Sequence, residues 1–363
     1  MALNSGLSQE EKKFYHRHII LDRIGTVGQN ALKQSKVLVI GAGGLGCPVL
    51  QYLVAAGVGT IGIVDGDTVA TSNLHRQILY TTNDIGQPKA HVAQQKLNAL
   101  NPFVTIRVYP YYLNTDNALS LFSAYDIVVD GSDNFPTRYL VNDASVITHT
   151  PVVFGSLFKF QGQVSVFNYK GSGTYRCLYP TPPQAGSVPN CSDIGVLGVL
   201  PGIIGCLQAN EAIKMILGIG EVMSNKLVYV DALTLNQQIL TFARTEEADV
   251  KELQKSYESF CGIDETPESL TLSEIQNRFT DYTFLDVRTS QEYEDHNVGG
   301  LHIPLDELSA RHSEIPKAIP VAVCCASGVR SQKAIAILKE LNFEIPLLNI
   351  KGGIHAIETR VED

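Results

Sequence analysis

The chain has little positive charge, no long apolar run and no regular spacing of cysteines. Its 28 Lys and Arg stand against 37 Asp and Glu, a formal net charge of -9 at pH 7. Because nucleic acids bind basic surfaces, this balance argues against a nucleic-acid partner, although a local basic pocket could still hold one nucleotide. No apolar stretch reaches the length of a membrane span, and the first residues lack the apolar segment of a secretory signal. We therefore expect a cytoplasmic protein without a membrane partner.

The cysteines do not indicate a disulfide framework. There are seven, an odd number, at irregular spacing in a chain of 363 residues. Hydrophobic residues make up 44% of the chain and charged residues 18%, which is typical of a globular protein. The length allows two or more domains.

Buried strands alternate with helices in the first part of the chain. Apolar runs at 36–40 and 60–65 predict strands buried on both faces, and 104–110 and 125–134 continue the series. This alternation predicts a Rossmann-like, parallel half of a sheet in an α/β fold. After residue 151 the pattern changes to that of antiparallel strands, interrupted by an apolar helix, so the whole sheet should be mixed.

Composition predicts two domains and a linker. The mixed sheet should occupy residues 1–243, and the polar, charged segment 244–268 has the composition of a linker. Residues 269–363 restart a small α/β unit with a predicted strand–loop–helix at VAVCCASGVRSQKAIAILKELN. Its first helix should begin with a capping box, Thr271 followed by Glu274.

A glycine-rich motif follows the first predicted strand. Gly41, Gly43 and Gly46 fit G-x-G-x-x-G between a strand and a helix, where backbone amides can approach phosphates. Asp65 ends the second strand and is placed to bind ribose hydroxyls. This motif alone is compatible with NAD as well as with other nucleotides.

The next segment favours a nucleoside triphosphate over NAD. Asn73, Arg76 and Gln77 follow Asp65, and Lys89 stands at the start of the next helix. Fixed cations and amides stabilise the charge that grows on phosphates under attack, which hydride transfer does not require. The alternative interpretation is a set of ordinary surface cations.

Two acids stand where the fourth predicted strand ends. Asp130 and Asp133 lie at the carboxyl edge of the sheet, where parallel sheets bind ligands. One such carboxylate can hold Mg²⁺ together with phosphate oxygens. The alternative is that these acids cap the following helix.

Four segments together resemble one family. GAGGLGCP, VDGDTVATSNLHRQ, GQPKA and DGSDNFPTRYLVND are similar to the MoeB/ThiF family of ubiquitin-activating-type adenylyltransferases, and the resemblance extends over 8–243. It implies that ATP, with Mg²⁺, adenylates the C-terminal glycine of a ubiquitin-like sulfur carrier and releases pyrophosphate. Together, the residue pattern and this resemblance predict a nucleotide site formed by Arg17, Gly41, Gly43, Gly44, Gly46, Asp65, Ser72, Asn73, Arg76, Gln77, Lys89, Asp133 and Asn134.

The resemblance also implies individual roles. Arg76 and Lys89 act on the phosphates, and Asp133 orients Mg²⁺. Arg17 would be contributed across a homodimer interface, so that a monomer lacks a complete site. Cys191 matches a loop cysteine that can take up the activated carrier.

The chain departs from the family at a zinc site. Many members carry two C-x-x-C pairs, but here the corresponding positions read T-Y-R-C and E-S-F-C and retain only Cys177 and Cys261. Structural zinc needs four good ligands, so we predict that no zinc is bound. We also expect Cys177 and Cys261 to lie near each other.

The segment CASGVR resembles the active-site loop of the rhodanese family, and that resemblance covers 269–363. A loop bent around Cys325 and followed by a helix points backbone amides at the sulfur and favours the thiolate. Arg330 adds positive charge. The resemblance implies that Cys325 carries persulfide sulfur received from a cysteine desulfurase or another persulfide donor.

These observations predict an adenylyltransferase with a sulfurtransferase domain. It would convert a Gly-Gly-ended carrier to a thiocarboxylate for molybdopterin, thiamine or thiolated-tRNA synthesis. One alternative is an NAD-dependent oxidoreductase with a rhodanese appendage. Another is a non-catalytic scaffold that binds a ubiquitin-like protein.

Overall fold

A computed structural model gives the architecture. The chain forms two compact units, residues 1–262 and 263–363. The residues that the structure describes are 6–183, 195–262, 269–270, 279–350 and 352–354.

The first unit is built on an eight-stranded sheet. Its strands are β1 (Lys36–Ile40), β2 (Thr60–Val64), β3 (Thr105–Tyr109), β4 (Ile127–Asp130), β5 (Val152–Phe158), β6 (Gln161–Phe167), β7 (Lys226–Asp231) and β8 (Gln237–Thr241). Their order is β3-β2-β1-β4-β5-β6-β7-β8, parallel from β3 to β5 and antiparallel from β5 to β8. The predicted mixed sheet is confirmed.

Helices cover both faces of this sheet. They are α1 (Gln9–Phe14), α2 (His16–Ile19), α3 (Gly25–Gln34), α4 (Gly46–Ala56), α5 (Lys89–Leu100), α6 (Ala118–Phe122), α7 (Phe135–Thr148), α8 (Tyr175–Leu178), α9 (Leu200–Leu217) and α10 (Tyr257–Phe260). Alternate residues of β1 face two cores, Val37 and Val39 on one side, Leu38 and Ile40 on the other. This is why β1 reads as a continuous apolar run.

The first compact unit includes part of the segment that composition predicts to be a linker. Its compact core extends to Gly262, whereas the predicted domain ends at 243 and the predicted linker begins at 244. Tyr257 and Cys261 are buried in the same core cluster as residues of α7. The segment appears polar in sequence because only a few of its residues face the core, and these are too widely spaced to form a periodic pattern.

The second unit has a five-stranded parallel sheet in the order β11-β10-β12-β13-β9. Its strands are β9 (Ser269–Leu270), β10 (Thr283–Asp286), β11 (Leu301–His302), β12 (Val321–Cys324) and β13 (Leu347–Ile350), and its helices are α11 (Ser290–Asp295), α12 (Leu308–Arg311) and α13 (Val329–Glu340). The predicted capping box at Thr271 and Glu274 lies outside the described residues.

None of the helices in the described ranges has the length and apolarity needed to cross a membrane.

Candidate active site

The backbone turn between β1 and α4 requires glycine at two positions. Gly41 has a φ of +87°, in the left-handed region that glycine tolerates best. A Cβ on Gly46 would lie 1.9 Å from the carbonyl oxygen of Gly41. The predicted glycine motif therefore forms the turn that a strand–loop–helix phosphate site needs.

Asp65 holds this loop in place. Its Oδ2 accepts the Ala42 backbone N–H at 2.7 Å, and its Oδ1 accepts that of Asp67 at 2.8 Å. Burial raises the pKa of the Asp65 carboxyl. The carboxylate predicted to bind ribose thus also ties the end of β2 to the glycine loop, and each oxygen keeps a further lone pair for a ligand.

A cavity of about 480 Å³ opens at the carboxyl ends of the parallel strands. This is within the size range of small-molecule sites and in the position where open α/β sheets bind ligands. The predicted site residues that line it are Gly41, Gly43, Gly44, Asp65, Ser72, Arg76, Gln77, Lys89, Asp133 and Asn134.

Lys89 forms a cluster with Asp67 and Tyr112, two residues that the sequence analysis did not predict. Its Nζ lies 3.0 Å from Oδ2 of Asp67, and the Tyr112 hydroxyl donates to Oδ1 of the same carboxylate. Burial would raise the pKa of Asp67, but the bonds from Tyr112 and Lys89 outweigh it and hold that pKa below its usual value. Asp67 stands two residues after Asp65 and was detectable by its position. Tyr112 carries no sequence signal.

Three buried polar atoms at this cavity have no hydrogen-bond partner among the described residues. They are Oε1 of Gln77, Oγ of Ser132 and Nε of Arg138. Buried polar groups are nearly always paired, so three such exceptions in residues that line one cavity are unusual. Ser132 and Arg138 were not predicted as site residues.

Arg76 and Asp133 present opposite charges to the cavity. Nη1 of Arg76 donates to the backbone oxygen of Ser72 at 2.9 Å, which anchors the guanidinium at the rim. Asp133 is exposed, and Asn134 caps α7 by accepting the Thr137 N–H at 2.9 Å. The cavity therefore offers cations for phosphates and one carboxylate for a cation.

Three predicted nucleotide residues are not among the described residues that line the cavity. Arg17 is exposed on α2, and Gly46 begins α4. Asn73 accepts the Ala70 N–H through its side chain at 3.3 Å. Cys191 lies outside the described residues.

A buried ion pair between Arg176 and Asp143 lies in the region of Cys177, one of the two cysteines that the sequence retains. Arg176, the residue before Cys177, is buried and lies 4.7 Å from the ring centroid of Phe260, which adjoins Cys261. The described ranges contain no group of three or more His, Cys, Asp or Glu side chains placed to hold a metal ion. The absence of zinc and the approach of the two sulfurs both stay predictions.

The second unit has a candidate site of its own at Cys325, directly after β12. The Gly328 N–H donates to Sγ at 3.1 Å, and Gly328 has a φ of +93° that permits the turn. Arg330 reaches outward to Glu292, with N–O distances of 2.6 and 2.8 Å. The loop amide is aimed at the sulfur as predicted. Arg330 is held by Glu292, a partner that the sequence did not indicate.

Sequence comparisons identify the family. Residues 15–252 match the model of the ThiF family. The chain belongs to the ThiF family. In addition, residues 271–360 match the rhodanese-like domain.

Relatives of this ThiF-family chain carry matching names. It is 51% identical over 268 residues to a sulfur carrier protein adenylyltransferase of Thermus thermophilus, covering 70% of this chain and 98% of the relative. It is 40% identical over 385 residues to the adenylyltransferase and sulfurtransferase MOCS3 of Anopheles gambiae, covering 96% and 87%. The predicted class, an adenylyltransferase with a sulfurtransferase domain, is confirmed.

Solved structures support the fold of the first unit. The crystal structure of Escherichia coli MccB with MccA-N7isoASN aligns with a TM-score of 0.60 at 21% sequence identity, covering 68% of this chain and 76% of that one. At this identity the likeness concerns the fold alone.

Proposed function

We propose that the first unit uses ATP to adenylate the C-terminal carboxylate of a ubiquitin-like sulfur carrier that ends in Gly-Gly. A carboxylate oxygen attacks the α-phosphorus, the bond to the bridging oxygen breaks, and pyrophosphate leaves with the electron pair. The observation that carries this proposal is the cavity that combines the glycine loop with Arg76 and Lys89. Two cations at one phosphate site stabilise the negative charge that develops on the phosphates in the transition state.

Lys89 is the residue that we expect to act on the attacked phosphate. It is buried and paired with Asp67 at 3.0 Å, so its ammonium is already held at the cavity wall before ATP arrives. A preorganised cation stabilises the transition state without the cost of reorienting it during the reaction.

Mg²⁺ fits the site through Asp133. Its carboxylate is exposed at the cavity, and it takes part in none of the ion pairs found in the described ranges. Mg²⁺ commonly binds one or two carboxylates together with substrate phosphates and water, so a single acid is sufficient. When bound, the ion would neutralise phosphate charge next to Arg76 and Lys89.

We further propose that two copies assemble and that Arg17 of one copy reaches the phosphates of the other. The support is that Arg17 is exposed on α2 and is not among the described residues that line its own cavity. We place the reaction in the cytoplasm, because all six described cysteines are free thiols.

In the second unit, Cys325 would accept sulfur from a persulfide donor. The terminal sulfur of the Cys325 persulfide would then attack the activated acyl carbon, and AMP would leave. A second thiol, for which Cys191 is the candidate, would attack Sγ of Cys325 and form a disulfide with it, and the carrier thiocarboxylate would leave with the electron pair. The position of the Gly328 amide at Sγ supports this role for Cys325.

The test is ATP–pyrophosphate exchange with a panel of purified ubiquitin-like proteins ending in Gly-Gly. We expect exchange with one carrier and a loss of about 10²–10³-fold in Lys89→Ala, the magnitude typical of removing one preorganised charge-stabilising group. Lys36→Ala is the matched control, since Lys36 is exposed at the opposite end of β1. Equal exchange by Lys89→Ala and Lys36→Ala would contradict the assigned role.

A further inference from the structure

Behind Cys325 lies a short chain of buried polar side chains that the sulfur-transfer scheme does not use. Sγ of Cys325 is 3.4 Å from Oγ of Ser331, and this Oγ is 2.6 Å from Oδ1 of Asn349. Cys325 and Ser331 are fully buried, and Asn349 is 2% exposed. Polar groups buried to this degree are nearly always hydrogen-bonded.

A count of protons fixes the direction of this chain in the resting state. Ser331 has one hydroxyl proton, and its short contact with Asn349 uses that proton as the donor. Oγ of Ser331 must then accept from Cys325, whose only donor is its S–H. The chain S–H to Oγ–H to Oδ1 therefore satisfies the thiol form of Cys325.

The same chain can also satisfy the anion if it reverses. The Ser331 hydroxyl turns its proton toward the sulfur and joins the Gly328 N–H, which already donates to Sγ at 3.1 Å. Asn349 then has to change from acceptor to donor. A half-turn of its amide achieves this, because Asn carries an acceptor and two donors at nearly the same positions.

We propose that Ser331 and Asn349 form a reversible hydrogen-bond relay that supports Cys325 as a thiol at rest and as a thiolate during sulfur loading. This inference rests on the proposed role of Cys325. Ser331 touches the reacting sulfur and is a catalytic residue, whereas Asn349 acts through Ser331 and is a positioning residue.

The loading step needs no oxidant. The Cys325 thiolate attacks the outer sulfur of a donor persulfide, R–S–SH, and forms a new S–S bond. The bond between that sulfur and the donor sulfur breaks, and R–S⁻ leaves with the electron pair. The proton of the resting thiol passes to solvent before the attack. The relay therefore matters at the moment when the charge appears on Sγ.

Charged and titratable groups near the sulfur come from three elements. Arg330 of α13 and Cys324 at the end of β12 interact electrostatically with Cys325, and Glu292 of α11 is the ion-pair partner of Arg330. Burial raises the pKa of Cys324, so this neighbour remains a neutral thiol. None of these three groups is altered by a change at Ser331, so such a change isolates the hydroxyl.

The test is the pH profile of iodoacetamide alkylation at Cys325 in the full chain. Mass spectrometry of fragment ions separates Cys325 from Cys324. Ser331→Ala should slow alkylation near neutral pH by about tenfold and move the midpoint of the profile up by about one pH unit, the effect of losing one hydrogen bond to a charged group. Ser331→Thr keeps the hydroxyl and should stay within about threefold of the native chain.

Asn349→Ala gives a second, independent variant if Ser331→Ala fails to fold, and it should shift the midpoint in the same direction by a smaller amount. An unchanged midpoint in either folded variant would overturn the relay. Persulfide formation from cysteine persulfide, compared between the native chain and Cys325→Ala, tests the proposed function separately. Sulfur loading that survives in Cys325→Ala would remove the role of Cys325 itself, whatever the alkylation profiles show.

Discussion

Replacing Arg176 by methionine should destabilise the first unit by about 3–5 kcal/mol, the usual cost of breaking a buried ion pair by removing one partner. Arg176 donates to Asp143 through Nε at 2.7 Å and Nη2 at 2.8 Å. Its guanidinium also lies 5.0 Å from the ring centroid of Tyr139 and 4.7 Å from that of Phe260. The pair thus links α7, α8 and α10, and it stands beside the positions where related proteins are expected to use zinc.

The size of this destabilisation follows from the Asp143 carboxylate, which Arg176→Met leaves buried without its ion-pair partner. The Asp143 side chain is 0% exposed, so its charge cannot be transferred to water when Arg176 is removed. Tyr257 and Asn142 still donate hydrogen bonds to this carboxylate, at 2.7 and 2.9 Å. These bonds partly stabilise the unpaired charge and limit the destabilisation. Methionine fills much of the same volume, so cavity formation adds little.

Urea unfolding of the full chain, followed by tyrosine fluorescence, measures this effect. The sequence contains no tryptophan, so the 15 tyrosines provide the signal. Arg244→Met is the matched control, because Arg244 pairs with Asp249 at a site where the two side chains are 36% and 71% exposed. Exposed pairs contribute about 0–1 kcal/mol. A loss below about 1 kcal/mol in Arg176→Met would refute the reasoning that this buried pair holds the three helices together.

Two further predictions concern the glycine loop and the second unit. Gly46→Ala should abolish ATP-dependent thermal stabilisation and lower the melting temperature of the first unit, because its Cβ would overlap the Gly41 carbonyl, which lies in backbone and cannot move aside. In the second unit, the Arg330 hydrogen bond, followed by those of Thr289, lowers the pKa of Glu292 from 4.5 to about 2. A lowered folded-state pKa means that the stability from this pair is present above about pH 4.5 and is lost as the pH falls toward about 2. Urea midpoints across this range should therefore fall further for the native chain than for Glu292→Gln, and equal slopes would contradict this.

Much of the fold follows from local sequence patterns. Continuous apolar runs predict β1 and β2 because both strands are buried on both faces, and the glycine turn predicts the start of α4. Ten of the predicted nucleotide residues line one cavity because parallel strands bring their carboxyl ends to the same edge. These features depend on spacing within a short segment, which a single sequence contains.

Other features depend on contacts between distant segments. Tyr112 reaches Asp67 from a loop that follows β3, 45 residues away, and nothing in its neighbourhood marks it as a site residue. Tyr257 lies 114 residues from the Asp143 carboxylate that it binds, so a locally polar segment was interpreted as a linker. Composition describes what a segment exposes on average, whereas one buried tyrosine is enough to hold it against a domain.

The two candidate sites share the same local architecture. They differ in the group that accepts a hydrogen bond from the loop backbone N–H. In both units a buried strand ends, the chain turns at a glycine with positive φ, and a helix begins at Gly46 or Val329. In the first unit the carboxylate of Asp65, directly after β2, accepts the Ala42 amide, and the loop remains open to the cavity. In the second unit the Gly328 amide binds the sulfur of the loop's own cysteine, and the loop closes around it. An open loop suits an anion that arrives with the substrate, whereas a closed one suits an anion that forms on the protein.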